Sequence, residues 1–262
     1  MHEILNHLPA SARVLDLGCK EGSFSATGYR FTVVRADLDP PRATTGLLVQ
    51  ADAVHLPFPS HSFDAVIMNH SLEHFVELKA ALQEIGRLIK PGGAAYVAIP
   101  DASTLTDRVY RTVFREAGGH VNLFKSASEV EWMLSWYFGL PHVATRTLFS
   151  SFAFINRENT RAVRSDMRFA GFSQPILGLL TGCTRLIDRW FGTRTSVYGW
   201  AFYLGHIEEP VTAGNWPNVC IRCGQARPAG EAARAAQTRR LLRLYRCEGC
   251  GTRNFLFPDP AE

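Results

Sequence analysis

The sequence predicts an α/β fold built on an open, mostly parallel sheet. Residues 14–17 form a short apolar run that leads into a loop containing Gly18 and Gly22, the pattern of a buried strand followed by a tight turn into a helix. Residues 75–89 then place apolar side chains at helical spacing. Strands that alternate with helical segments indicate a parallel sheet.

Two carboxylates follow the next strand signals and suggest a ligand site. The apolar run 31–34 leads to Asp37, about 20 residues past the glycine loop, where a carboxylate can accept both hydroxyls of a ribose. Asp52 lies further along and could accept from an exocyclic adenine amine. The alternative is that each carboxylate after a strand is only a helix N-cap.

Further apolar runs predict the remaining strands, at residues 65–68, 94–99, 139–155 and 197–204. Residues 90–93 (Lys-Pro-Gly-Gly) predict the end of the helix that starts near Phe75. A second apolar helix is predicted over 175–190, inside an insertion at about 156–194.

Residues 12 to about 100 resemble the class I S-adenosylmethionine-dependent methyltransferases, and most closely their small-molecule branch. The resemblance is carried by three ordered motifs, at residues 16–22 (D-L-G-C-K-E-G), 52–64 (D-A-V-H-L-P-F-P-S-H-S-F-D) and 88–93 (L-I-K-P-G-G). It implies a Rossmann-like sheet of seven strands, mostly parallel with the last antiparallel, and helices on both faces. It also implies S-adenosylmethionine as the methyl donor.

The resemblance assigns donor-binding roles by position. It places the methionine end at Asp16, Gly18, Cys19 and Gly22, the ribose at Asp37 and Leu38, the adenine at Asp52 and Ala53, and the amino-acid end at Asn69. Lys20 departs from the family, which usually has a small residue there. Its side chain could point into solvent, meet the donor's carboxylate or weaken the site.

Three histidines are candidates for the acceptor side. His120 follows a glycine-rich break, at a place where relatives cover the acceptor pocket, and His70 and His74 follow the fourth strand together with Glu73, which is weighed for the same role. An oxygen acceptor must lose a proton, and histidine is the usual base near neutral pH. The alternatives are that His120 is an ordinary loop residue and that the other two are polar residues near a helix start.

Two C-x-x-C-G units lie near the C-terminal end of the sequence and predict one structural zinc ion. The four ligands would be Cys220, Cys223, Cys247 and Cys250. Four thiolates make a closed tetrahedral site that leaves no position open for catalysis. Disulfides are the alternative, and zinc is favoured because we expect a cytoplasmic protein without a signal peptide, whose thiols stay reduced.

Composition fits one large domain and a small module. The chain has 262 residues, of which 46% are hydrophobic, and no run is apolar enough to span a bilayer. We expect a methyltransferase domain over 1–209 and a zinc ribbon over 210–262.

Charge bears on possible partners. Residues 1–150 carry a net charge of −2, whereas residues 151–262 carry +6 with arginine as the sole basic type. The arginines could grip RNA, which makes an RNA methyltransferase the alternative to an enzyme acting on a small or sugar-like molecule; a solvated basic face is the simpler interpretation. A non-catalytic binding module is a third hypothesis. The insertion could also support a homodimer, and membrane contact is not expected.

Overall fold

A seven-stranded sheet forms the centre of the protein. The structure, a computed structural model, describes residues 1–20, 22–40, 47–113, 119–149, 174–208, 218–219, 226–227, 244–248, 251 and 253–255. The strands of the sheet are β1 (Arg13–Leu17), β2 (Thr32–Asp37), β3 (Leu47–Gln50), β4 (Phe63–Asn69), β5 (Ile89–Pro100), β6 (His142–Phe149) and β7 (Val197–Gly205). The helices are α1 (His2–Leu5), α2 (Leu78–Leu88), α3 (Leu105–Val113), α4 (Ala127–Phe138) and α5 (Gln174–Phe191), with a 3-10 turn at Leu72–His74.

The strand order confirms the predicted topology. The order is β3-β2-β1-β4-β5-β7-β6, and β1 to β5 pair in parallel. Strand β7 is antiparallel to both of its neighbours, β5 and β6. The last strand of this sheet in chain order, β7, is therefore inserted next to the edge strand β6 rather than added outside it.

Alternating side chains of the strands form a core on each face of the sheet. Val14 and Tyr96 belong to one buried cluster, whereas their neighbours Leu15 and Val97 belong to the other. This alternation follows from the period of two along a strand, and burial on both faces explains why these strands are apolar throughout.

One predicted element is absent and one predicted boundary is shifted. No helix follows the glycine loop among the described residues between β1 and β2, where Gly28 has φ +95°. The helix end predicted at residues 90–93 is confirmed, since α2 ends at Leu88. Strand β5, however, starts at Ile89 instead of residue 94, and its pairing with β4 shifts register between Phe63 and Ala65.

Helix α5 confirms the helix predicted in the insertion, and it exposes apolar side chains while it buries polar ones. Thr184 is buried and Asp188 half-buried, whereas apolar side chains are exposed, among them Leu186, Trp190 and Phe191.

Among the described residues, no helix is long and apolar enough to cross a membrane. The predicted boundary near residue 209 falls outside the described residues.

Candidate functional site: a cleft at the carboxyl ends of the strands

One large cleft opens at the carboxyl ends of β1, β2 and β4, where open α/β sheets bind their ligands. Its volume is about 1050 Å³, at the upper end of small-molecule sites. Most of the predicted donor-binding residues line it, namely Gly18, Cys19, Gly22, Asp37, Leu38, Asp52, Ala53 and Asn69. The three candidate histidines His70, His74 and His120 line it as well.

The glycine loop needs its glycines for backbone conformation and for space. Gly18 has φ +66°, and a Cβ there would lie 2.5 Å from Ser71 Cβ. Gly22 has φ +114°, and its Cβ would lie 2.8 Å from Arg35 Nε. The loop therefore exposes bare peptide to the cleft, in a conformation that side chains rarely allow.

Lys20 contributes its backbone to the site. Its φ of +46° is in the left-handed region, which explains why a small residue is usual at this position. Its N–H donates to Asp37 Oδ2 at 2.8 Å, and the Asp39 N–H donates to Oδ1 at 3.0 Å. The carboxylate of Asp37 is thus fixed at the end of β2, on the cleft wall.

Asp16 is placed differently from the sequence expectation. It is fully buried beneath the loop and does not line the cleft. Its Oδ2 accepts the Ser23 N–H at 2.9 Å and lies 3.8 Å from Arg35 Nε. Burial raises the pKa of Asp16 to about 6, even though the Ser23 hydrogen bond and Arg35 lower it. Asp16 therefore fixes the loop from behind, and the loop itself lines the cleft.

The adenine end of the predicted site is more open. Asp52 is exposed, and its Oδ1 accepts the Val54 N–H at 3.2 Å. Leu38 is 65% exposed, and its carbonyl accepts from Gln50 Nε2 at 3.0 Å. An apolar side chain this exposed on a cleft wall is suited to packing against the flat face of a base.

The far end of the cleft contains a histidine–aspartate pair. Nδ1 of His120 lies 3.0 Å from Asp107 Oδ1, and the two side chains are 2% and 0% exposed. Asp107 Oδ2 accepts from Arg111 Nε at 2.6 Å, and Tyr110 stacks on the imidazole with ring centroids 5.0 Å apart. Asp107 therefore fixes the orientation of the ring and directs Nε2 away from helix α3.

The segment carrying His120 is held on the 3-10 turn by backbone and amide hydrogen bonds. The N–H groups of Val121 and Asn122 both donate to the Glu73 carbonyl, at 2.8 and 3.0 Å. The Asn122 side chain donates to the carbonyls of Leu72 and Phe75 at 2.9 and 2.7 Å. These bonds give the backbone carbonyls of the 3-10 turn their hydrogen-bond donors. They also place His120 beside His74, with ring centroids 5.2 Å apart.

Three side chains of this end, those of Asp107, Tyr110 and Tyr198, were not predicted as site residues. Glu73 and Tyr198 line the cleft with Tyr110, while Asp107 lies behind His120. Burial raises the pKa of Glu73 to about 8, and the charge of Asp107 adds to the effect. His70 has φ +57° and packs its ring against Tyr198 at 5.2 Å. Asp107 and Tyr198 lie far from the motifs in the sequence, so only the folded chain brings them here.

The cysteine cluster is only partly described. Cys247 is buried, but Cys220, Cys223 and Cys250 lie outside the described residues. Two short antiparallel hairpins flank the two C-x-x-C-G units: β8 (Asn218–Val219) with β9 (Ala226–Arg227), and β10 (Leu244–Arg246) with β11 (Arg253–Phe255). In the second hairpin the Gly251 N–H donates to the Cys247 carbonyl at 2.8 Å.

Comparisons with known proteins place the chain in a family. The sequence profile of a family described as "Methyltransferase domain" matches residues 1–143. An uncharacterized methyltransferase of Mycobacterium tuberculosis is 30% identical over 134 residues, which are 47% of this chain and 68% of the relative. A demethylmenaquinone methyltransferase of Corynebacterium urealyticum is 38% identical over 69 residues, but the match covers just 26% of this chain and 29% of that enzyme.

Solved structures agree with the fold. The YcgJ protein of Bacillus subtilis superposes with a TM-score of 0.51 at 17% identity, over 80% of this chain and 99% of that one. An S-adenosylmethionine-dependent methyltransferase of Archaeoglobus fulgidus gives 0.50 at 14% identity, over 75% and 86%. With the profile match covering more than half of the sequence, the chain belongs to the methyltransferase family and has the Rossmann-like fold of its S-adenosylmethionine-dependent members.

Proposed function

We propose that this protein transfers the methyl group of S-adenosylmethionine to a hydroxyl oxygen of a small, sugar-like acceptor. The observation that carries the proposal is the single cleft that joins Asp37 and the glycine loop to the His120–Asp107 pair. One end has the carboxylate and bare peptide that a nucleoside and an amino acid require. The other end has groups suited to an acceptor that must lose a proton.

The donor end fits S-adenosylmethionine in its chemistry. Gly18 and Gly22 line this end of the cleft, where a Cβ at Gly18 would overlap Ser71, and Asp37 presents a fixed carboxylate where ribose hydroxyls can donate. The donor supplies a methyl group already activated on a sulfonium. The protein therefore mainly has to hold acceptor and donor in line, which can supply about 7–11 kcal/mol of the barrier.

The acceptor end supplies the remaining requirement, activation of the oxygen. Because Nδ1 of His120 faces Asp107, Nε2 is the nitrogen available to the acceptor, and Asp107 stabilises positive charge on the ring. Tyr198 and His70 form the adjoining wall. We propose that His120 activates the acceptor hydroxyl and that the aromatic side chains orient it.

The C-terminal segment is proposed to be a zinc ribbon. The support is that two hairpins flank the C-x-x-C-G units and that Gly251, with φ +71°, returns its N–H to Cys247 as a tight turn around a metal requires. Four thiolates would make this zinc structural.

The test is a methyl-transfer assay with panels of sugars, phenols and RNA, scored by release of S-adenosylhomocysteine. We expect turnover with a hydroxyl-bearing small molecule, a loss of about 100-fold or more in kcat for His120→Ala, and no change for His206→Ala, an exposed histidine outside the cleft. Turnover of RNA alone, with steep salt dependence, would instead support an RNA methyltransferase. An absence of S-adenosylmethionine binding would overturn the proposal.

A further inference from the structure

Three potential metal ligands converge at the acceptor end of the cleft. Glu73, His74 and His120 each offer one ligand atom, and these atoms all lie within 4.8 Å of one another. Two come from the 3-10 turn after β4 and the third from the segment before α4. The hydrogen bonds of Val121 and Asn122 to the Glu73 carbonyl lock these segments together.

The carboxylate of Glu73 is the observation that points to a ligand. Its side chain is 1% exposed and lines the cleft. Within the described part of the chain, Oε2 accepts no hydrogen bond, and Oε1 lies 3.8 Å from His70 Nδ1. A buried carboxyl oxygen without a hydrogen-bond partner costs free energy, which coordination of a cation would offset.

His120 is arranged as metal-bound histidines usually are. Its Nδ1 faces Asp107, which leaves Nε2 as the ligand atom, and the carboxylate fixes both tautomer and ring orientation. Asp107 is in turn held by Arg111 at 2.6 Å. A carboxylate behind a histidine supports a metal ligand as well as a base, so the deciding feature is the convergence of Glu73 and His74 on the same point.

We propose that Glu73, His74 and His120 bind one divalent transition-metal ion, for which Zn²⁺ is the best fit. Two imidazoles and one carboxylate are a common catalytic zinc set, and three protein ligands leave a position open for an oxygen of the acceptor. The inference rests on the proposed function and defines its acceptor as one that binds a metal ion through its reacting hydroxyl.

The ion would act as a Lewis acid on the acceptor. Binding lowers the pKa of the hydroxyl, whose proton passes to water. The oxygen then forms its bond to the methyl carbon as the carbon–sulfur bond breaks, and S-adenosylhomocysteine leaves with the electron pair. With the ion bound, His120 no longer accepts the proton itself and instead activates the acceptor through the ion.

The test is a Co²⁺ titration of the full-length protein after its metal has been removed with a chelator, followed by absorption spectroscopy. Co²⁺ bound at the cysteines would show thiolate charge-transfer bands that nitrogen and oxygen ligands do not give, so these bands distinguish the two sites. We expect one additional Co²⁺ ion, beyond that at the cysteines, without those bands. Its affinity should fall tenfold or more in Glu73→Gln and His120→Ala and should be unchanged in Glu77→Gln, a nearby exposed carboxylate.

S-adenosylmethionine affinity, measured on the same variants, reports whether the fold and the donor end are intact. Co²⁺ binding that is equal in Glu73→Gln and the parent protein, or the absence of an additional ion, would overturn the metal site. If methyl transfer persisted in that case and resisted a chelator, the proposed function would stand without the metal. A loss of donor binding in the parent protein would refute the proposed function instead.

Discussion

Substitution of Gly18 by alanine tests whether the glycine loop forms the donor site. The new Cβ would lie 2.5 Å from Ser71 Cβ, and ordinary contact begins at 3.4 Å, so loop and turn must separate by about 0.9 Å. The Gly18 N–H donates to the Ala36 carbonyl at 2.8 Å, which limits how far the loop can move. The left-handed φ of +66° adds strain to this steric conflict.

Gly139→Ala is the matched control. Gly139 ends helix α4 with φ +63°, and a Cβ at this position would have no neighbour within 4 Å, so alanine there meets only backbone strain. We expect Gly139→Ala to lower the free energy of unfolding by about 1–2 kcal/mol. Gly18→Ala should lose a further ~1–3 kcal/mol, as overpacking usually costs.

Donor binding separates the two variants more sharply. A displacement near 1 Å is large for a ligand cradle, so we expect Gly18→Ala to weaken S-adenosylmethionine binding at least tenfold, or about 1.4 kcal/mol, by calorimetry. Gly139→Ala should bind like the parent protein, and adding Ser71→Gly to Gly18→Ala should recover part of the loss. Parental donor affinity in Gly18→Ala would refute the reasoning.

Three further predictions concern the carboxylate of Asp37, the loop that follows helix α5 and the cysteines. Asp37→Ala should weaken S-adenosylmethionine binding tenfold or more by calorimetry, whereas exposed Asp39→Ala should change it little. Burial opposes ionisation of Asp188, but hydrogen bonds from Ser196, Thr193 and Thr195 outweigh it and lower its pKa. Asp188→Asn should therefore cost about 1–3 kcal/mol at neutral pH in denaturant titrations, and the difference should shrink as the pH falls below 3.8. Elemental analysis should find zinc in the parent protein and less zinc in Cys247→Ser. Equal zinc contents in the two proteins would refute the zinc ribbon.

The sequence by itself determined the sheet and most of the residues that line the glycine-loop end of the cleft. Apolar runs identify these strands because a strand that is buried on both faces of the sheet has no solvent-exposed side that would carry polar residues. The glycine loop and Asp37 are local signals as well, because a left-handed backbone and a carboxylate after a strand are each specified by a few adjacent residues. The places where this reasoning failed are also local: no helix follows β1 among the described residues, and β5 starts at Ile89 instead of residue 94.

Only the tertiary structure decided the acceptor end. His120 was a candidate from its sequence context, but its partner Asp107 lies on α3 and Glu73 on the turn after β4. Tyr198 comes from β7, which reaches this end because the last strand is inserted beside β5. Burial of a carboxylate and convergence of side chains from separate segments depend on packing at long sequence separation. No spacing in the sequence encodes them, so this cluster of side chains forms only once the chain is folded.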